Sequence, residues 1–103
     1  MEIIELLDGK IDKVRIDKWL WWARFFKTRS LAAKKISNGV VRVNSHRVLK
    51  PSAEITIDDV LTLKQENIVR VIRVVSLGQK REKYDIAKRM YEDIVDIKLD
   101  DST

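Results

Sequence analysis

An α+β fold is predicted for this 103-residue chain: two short antiparallel helices packed on a small, mainly antiparallel sheet, with a C-terminal helix. Three observations predict it. Apolar residues from Ile16 to Ile36 recur at helical spacing with one brief interruption, the period falls to two after Gly39, and helical spacing returns after Gly78. At this length one domain is expected, burying roughly 60 to 68% of its unfolded surface without staples. The organisation expected is an acidic N-terminal extension (1–12), a domain (13–78), a C-terminal helical extension (79–96) and an acidic, frayed tail (97–103).

Asp17 reads as the N-cap of the first helix, because its carboxylate can accept orphan backbone N–H bonds, with Ile16 closing the entry. The helix is expected over about residues 18–26. Its apolar side chains run nearly all round, so Leu20, Ala23 and Ile16 are placed on the main core and the rings form two further stripes, Trp19, Trp22 and Phe26 against Trp21 and Phe25. Core is the commoner use of rings at this spacing. One stripe can receive the C-terminal helix, and a stripe left exposed would offer a stacking or docking surface. Thr28 or Ser30 caps a second helix reaching about Ser37, which Asn38 and Gly39 stop through a left-handed residue.

From Val41 the pattern alternates, with Val41 and Val43 on one face and Arg42 on the other. Asn44 and Ser45 form a hairpin tip, residues 54–57 and 60–63 flank a turn at Asp58 and Asp59, and residues 68–75 form a longer strand. Arg70 and Arg73 lie three apart, so a bulge, a twist or two-sided burial is expected there. Tyr84, Ala87, Tyr91 and Ile94 then recur at helical spacing and predict the C-terminal helix.

Charge is distributed unevenly. Residues 13–50 hold eleven Lys and Arg against one acid, Asp17, whereas residues 1–12 hold one base against four acids and residues 51–103 nine against eleven. The formal net charge of +5 therefore conceals a strongly basic segment. Such a segment points to a polyanion, since each phosphate neutralised releases a condensed counterion. A merely solvated face usually mixes both signs, which this run does not. Arg24 and Arg29 are the strongest single candidates, because guanidinium forks grip phosphate bidentately, while Lys27, Lys34 and Lys35 act as point charges.

The residues also fit a known pattern: Arg15-Ile16-Asp17 with Leu20, then Thr28-Arg29-Ser30 with Ala32 or Ala33, then Ile36, Gly39, Val41 and Val43-Asn44, closing with Pro51-Ser52 and Asp59. This set resembles the S-four RNA-binding domain, named for ribosomal small-subunit protein four, over about residues 13–63. The stretch DKWLWWARFFKTR and the extension through 87–92 resemble the fifteen-kilodalton heat shock protein family, which is ribosome-associated. Departures are Asn44-Ser45 at the hairpin tip, Asp58-Asp59 at the turn, Trp22 at a position where a small residue is common, and the acidic leader. The resemblance implies that Arg15, Lys18, Arg24, Lys27, Thr28, Arg29, Ser30, Lys34, Lys35, Arg42, Asn44 and Arg47 face structured RNA. It further implies large-subunit ribosomal RNA as the partner and a rescue or recycling role on stalled large subunits carrying peptidyl-tRNA. An accessory role in ribosome assembly or in an RNA-modification complex is the alternative.

No catalytic residue, cofactor or metal is expected. There are no cysteines, no glycine-rich cofactor loop and no nucleophile beside a base, and His46 stands alone near a hairpin tip. S-four domains also occur attached to RNA-modifying enzymes, which makes an enzyme the first rival. A membrane-surface binder is the second, since KWLWWARFFK alone could pass for an interfacial helix, but the alternating strands give those rings a core to fill. The acidic start lacks the basic, apolar features of a secretory signal, so the cytoplasm is the expected location, and a monomer is taken by default.

Overall fold

The computed structural model describes residues 13–98. The acidic extension (1–12) and the last five residues of the chain, which include most of the expected tail, lie outside the described residues.

Strand β1 (Val14–Arg15) leads directly into helix α1 (Ile16–Trp22), and α2 (Arg29–Ser37) follows after a short connection. Then come β2 (Val41–Val43), β3 (His46–Arg47), β4 (Glu54–Ile55), β5 (Val60–Gln65) and β6 (Ile68–Val74). A short α3 (Tyr84–Ala87), a 3-10 turn (Lys88–Met90) and β7 (Tyr91–Lys98) complete the fold. The main sheet is antiparallel in the order β3-β2-β5-β6-β7, and β1 pairs with β4 in a separate ladder.

Both long helices end in the same way. In α1 the Arg24 N–H donates to the Trp21 carbonyl (3.1 Å) and the Phe25 N–H to the Leu20 carbonyl (2.9 Å); in α2 Gly39 donates to Ile36 (2.9 Å) and Val40 to Lys35 (3.4 Å). Each is a Schellman closure around a left-handed residue, Gly39 at φ 81° and Arg24 at φ 67°. The α2 start is the one anticipated, with Thr28 Oγ1 accepting from the Leu31 N–H at 3.0 Å. The α1 start is not. Asp17 lies inside the helix, and the first orphan N–H groups are satisfied by backbone, Ile16 donating to Ala53 (2.7 Å) and Asp17 to Pro51 (3.2 Å). The helix accordingly begins earlier and ends earlier than the expected 18–26, because the left-handed Arg24 breaks it before the phenylalanines.

Ile16, Leu20 and Ala23 are buried as anticipated, with Trp19, Ala32, Ile36, Val41, Leu61, Leu63, Ile72 and Val74 around them. Trp19 donates its indole N–H to the Ser76 carbonyl at 2.9 Å, which satisfies the polar edge of a ring with no exposed area. Trp21, Trp22 and Phe25 are half-buried beneath cations, Arg81 over Trp21, Lys18 over Trp22 and Arg70 over Phe25. The ring stripes therefore go mainly to the core and to the segment after β6.

The hairpin tip is as anticipated, Asn44 and Ser45 both having positive φ. Residues 54–57 and 60–63 do flank a turn at Asp58 and Asp59, but their strands do not pair: β4 joins β1, while β5 pairs with β2 and β6. The irregularity expected near Arg70 and Arg73 appears as a register shift between β6 and β7, where Ile94 is left between the pairs Val71↔Val95 and Ile72↔Asp93. The C-terminal helix is present but short. Residues 91–98, placed by periodicity in a helix or a frayed tail, instead form β7, since the far edge of β6 offers a ladder of unpaired backbone groups that a helix would leave unused.

Candidate nucleic-acid interface

Most of the basic residues of the first half fall into three groups. The first joins the starts of the two helices. Arg15, at the entrance to α1, donates Nε to Asp17 Oδ1 (3.1 Å) and Nη2 to Oδ2 (3.0 Å), and Arg29, the first residue of α2, donates Nε to the same Oδ2 at 3.3 Å. Asp17 Oδ1 also accepts the Lys18 backbone N–H at 2.8 Å. Asp17 is the single buried charged residue among the described residues, whereas the two arginines keep outward-facing area. Burial alone pushes the Asp17 carboxyl up, but the bonds from Arg15, the Lys18 N–H and Arg29 outweigh it and hold the group below its ordinary value.

The second group lines an open groove between α2 and the turn joining β5 to β6. Lys27, Lys35, Lys64 and Arg70 surround a floor that includes Phe25, Phe26, Leu31, Val40 and Ile68. The Lys64 N–H donates to the Val40 carbonyl at 3.1 Å, which brings a lysine distant in sequence alongside α2. Lys34 is exposed on the same helix. Among the described residues, Lys27, Lys34, Lys35 and Lys64 have no carboxylate partner, whereas Arg70 is paired with Asp93 (2.7 Å) and Arg73 with Glu92 (2.7 Å) and Asp58.

The third group is the hairpin. Arg42 and Arg47 are directly opposite in register, a like-charge arrangement that costs stability unless an anion approaches. The Arg47 side chain also lies beside Gly39, where an added Cβ would come within 3.4 Å of Arg47 Cδ, so this pair borders the C-terminal end of α2.

The other anticipated residues divide by what already holds them. Arg24 is exposed, and its Nε donates to the Glu82 carbonyl at 2.6 Å, tying it to the segment before α3. Lys18 lies over Trp22. Thr28 caps α2 and Ser30 Oγ sits 3.3 Å from its hydroxyl. Asn44 is engaged by the fold: its Nδ2 donates to Asp59 Oδ1 (3.0 Å) and its Oδ1 accepts the Val60 N–H (2.9 Å). Sequence reasoning missed the bridging role of Asp17 and the position of Lys64. Asp17 was legible as the lone acid in a basic run, whereas nothing local marks Lys64. His46 is exposed, no cluster of metal-ligating side chains occurs among the described residues, and no helix among them is long and apolar enough to cross a membrane.

Comparison with known proteins gives concordant findings. A model of the S4 domain matches residues 14–61, the span that contains the three basic groups apart from Lys64 and Arg70. Heat shock protein 15 of Escherichia coli (strain K12) is 42% identical over 81 residues, covering 79% of this chain and 60% of that protein. The Heat shock protein 15 homolog of Haemophilus influenzae is 38% identical over 81 residues, covering 79% of this chain and 61% of its own length. The chain thus spans about 60% of the length of the curated relatives it matches. The solved structure of Vibrio cholerae Heat Shock Protein 15, described as trimeric, superposes with a TM-score of 0.75 at 38% identity, covering 80% of this chain and 82% of that one.

Proposed function

The chain belongs to the Heat shock protein 15 family of S4-domain proteins, and from that membership and its basic face we propose that it is a non-catalytic factor that binds structured RNA. The observation that carries this reading is the segregation of charge: the lysines of α2 and the arginines of the hairpin lack acidic partners among the described residues, while the arginines on β6 have them. The opposed Arg42 and Arg47 add to it, since a phosphate near them would offset a repulsion otherwise built into the sheet. Structured RNA is the favoured polyanion. Its deep, narrow major groove excludes side chains, so recognition rests on backbone geometry, for which scattered point charges and guanidinium forks are suited.

Within that reading, the target is ribosomal RNA of the large subunit in the cytoplasm, and the occasion is rescue or recycling of a stalled subunit carrying peptidyl-tRNA. The family resemblance supports this finer step. Co-sedimentation of the purified chain with small subunits, large subunits and large subunits carrying peptidyl-tRNA tests it at moderate salt. Selective retention on the last is expected. Retention of free structured RNA with binding to neither subunit would keep the RNA reading and discard the ribosomal one. If about five phosphates are neutralised, affinity falls by roughly two orders of magnitude between 50 and 200 mM salt. Because the Vibrio cholerae relative is described as trimeric, the size of the free protein is measured alongside, with a monomer as the expectation.

A further inference from the structure

We propose that Arg15, Asp17 and Arg29 form one phosphate site, in which the buried Asp17 carboxylate is a positioning residue that holds both guanidiniums ready for the phosphodiester backbone of an RNA strand. The inference rests on the RNA-binding reading and adds to it a function for the single acid in the basic segment.

The geometry supports this assignment. Arg15 meets the carboxylate side-on, through Nε and Nη2, and Arg29 meets it through Nε alone. A guanidinium has five N–H donors, so Arg15 retains both Nη1 hydrogens and one on Nη2, and Arg29 retains all four terminal hydrogens. Among the described residues these remaining donors have no side-chain partner. Both arginine side chains are substantially exposed, at 44% and 38%, against 4% for that of Asp17. The acid is therefore turned inward and the unused donors are left for solvent. Arg15 Nη2 and Arg29 Nε contact the same oxygen, at 3.0 and 3.3 Å, so they can be no further apart than those two distances laid end to end. The shared oxygen thus keeps the two guanidiniums side by side, so that one RNA strand can meet both.

The carboxylate has no capacity left for another ligand. Each of its oxygens already accepts two hydrogen bonds, Oδ1 from Arg15 and the Lys18 N–H and Oδ2 from Arg15 and Arg29. What it supplies is order: two long side chains are fixed before RNA arrives, so their rotamer freedom is not lost on binding. Arg15 immediately precedes α1 and Arg29 is the first residue of α2, so Asp17, in the first turn of α1, ties the starts of the two helices together.

Net charge and positioning predict opposite outcomes for Asp17→Asn. Removing an acid from a basic face should tighten binding to a polyanion if charge alone matters. Loss of a positioning anion should weaken it. With the full chain and protein-free large-subunit ribosomal RNA as the probe, we expect Asp17→Asn to lower affinity about tenfold, the scale of ordering two long side chains at an interface. Arg15→Lys with Arg29→Lys keeps the charge and removes the side-on geometry, and a similar loss is expected. In a chain carrying Arg15→Gln and Arg29→Gln, adding Asp17→Asn should change affinity no further. Unchanged or tighter binding by Asp17→Asn overturns the proposal. So does an equal loss on the glutamine background, which would mean that Asp17 acts through the fold, and so does full affinity in the double lysine variant should Asp17→Asn fail to fold. Absence of RNA binding by the wild-type chain would overturn the RNA reading itself together with this inference.

Discussion

Ser45 is held at φ 75° on an exposed hairpin tip, a conformation that a Cβ disfavours by about 1 to 2 kcal/mol. Ser45→Gly should therefore raise stability by about 1 kcal/mol and the Tm by several degrees without changing RNA affinity, measured by thermal melts and filter binding. Arg24 presents the same strain with a side chain that is partly engaged, since Nε is bonded to Glu82. Arg24→Gly removes the strain and that bond together, so the Tm should move little while RNA affinity falls; unchanged affinity would confine Arg24 to the fold. Asp17 makes a different prediction, in pH. Its carboxyl is held below its ordinary value in the folded chain, so its stabilisation is present above the ordinary carboxylate range and is lost as pH falls through the lowered value. The stability difference between wild type and Asp17→Asn should be constant from neutral pH to about 5 and shrink progressively below that in acid-unfolding curves. At this scale the sequence was readable where chemistry is local. Thr28 as a cap, Gly39 as a stop and Asn44-Ser45 as a turn each follow from a residue and its immediate neighbours. Asp17 was misread as a cap because its second arginine lies twelve residues away, and only folding brings Arg29 to it.

Among elements, the two helices and the β2-β3 hairpin were legible, while the partners of β4 and the nature of residues 91–98 were not. Tyr84, Ala87, Tyr91 and Ile94 satisfy a helical period, yet the last two belong to a strand. The deciding quantity is nonlocal. Strand β6 would expose a full edge of backbone donors and acceptors without β7, and seven residue pairs join the two strands. Arg70 over Phe25 and Tyr91, with its bond to Asp93, then fixes β7 against α1's connection. The bulge follows from the same pairing, since the extra residue Ile94 is half exposed and carries little of the core. Ile72 is its opposite: on β6 it has a strand on each side and no exposed area. Ile72→Ala should cost about 2 to 5 kcal/mol, whereas Ile94→Ala should cost under about 1 kcal/mol, read from urea midpoints. Equal costs would mean that β7 packs far more tightly than its exposure indicates.

For the molecule as a whole, the arrangement of charge matters more than its sum. The acids of residues 51–94 are used in part to neutralise β6, with Asp93 on Arg70 and Glu92 and Asp58 on Arg73, so the bases there contribute little field at a distance. Helix α2 carries Lys34 and Lys35 in its last turn, where they complement the helix dipole and face solvent without an acid among the described residues. A polyanion should therefore read the α2 side and ignore the β6 ion pairs, although both contain basic residues. Replacing Lys34 and Lys35 together by Gln should lower RNA affinity at 100 mM salt and reduce the slope of log affinity against log salt by roughly one to two, the loss expected for up to two phosphate contacts. Arg73→Gln removes a charge of the same sign from the paired face and should leave that slope unaltered. The comparison controls for net charge, because a protein attracted by total charge alone would respond in proportion to the charges removed wherever they lie. A slope that fell in that proportion in both variants would move the interface from a defined face to a diffuse field, and the S4-type surface would then act by concentration of charge rather than by geometry.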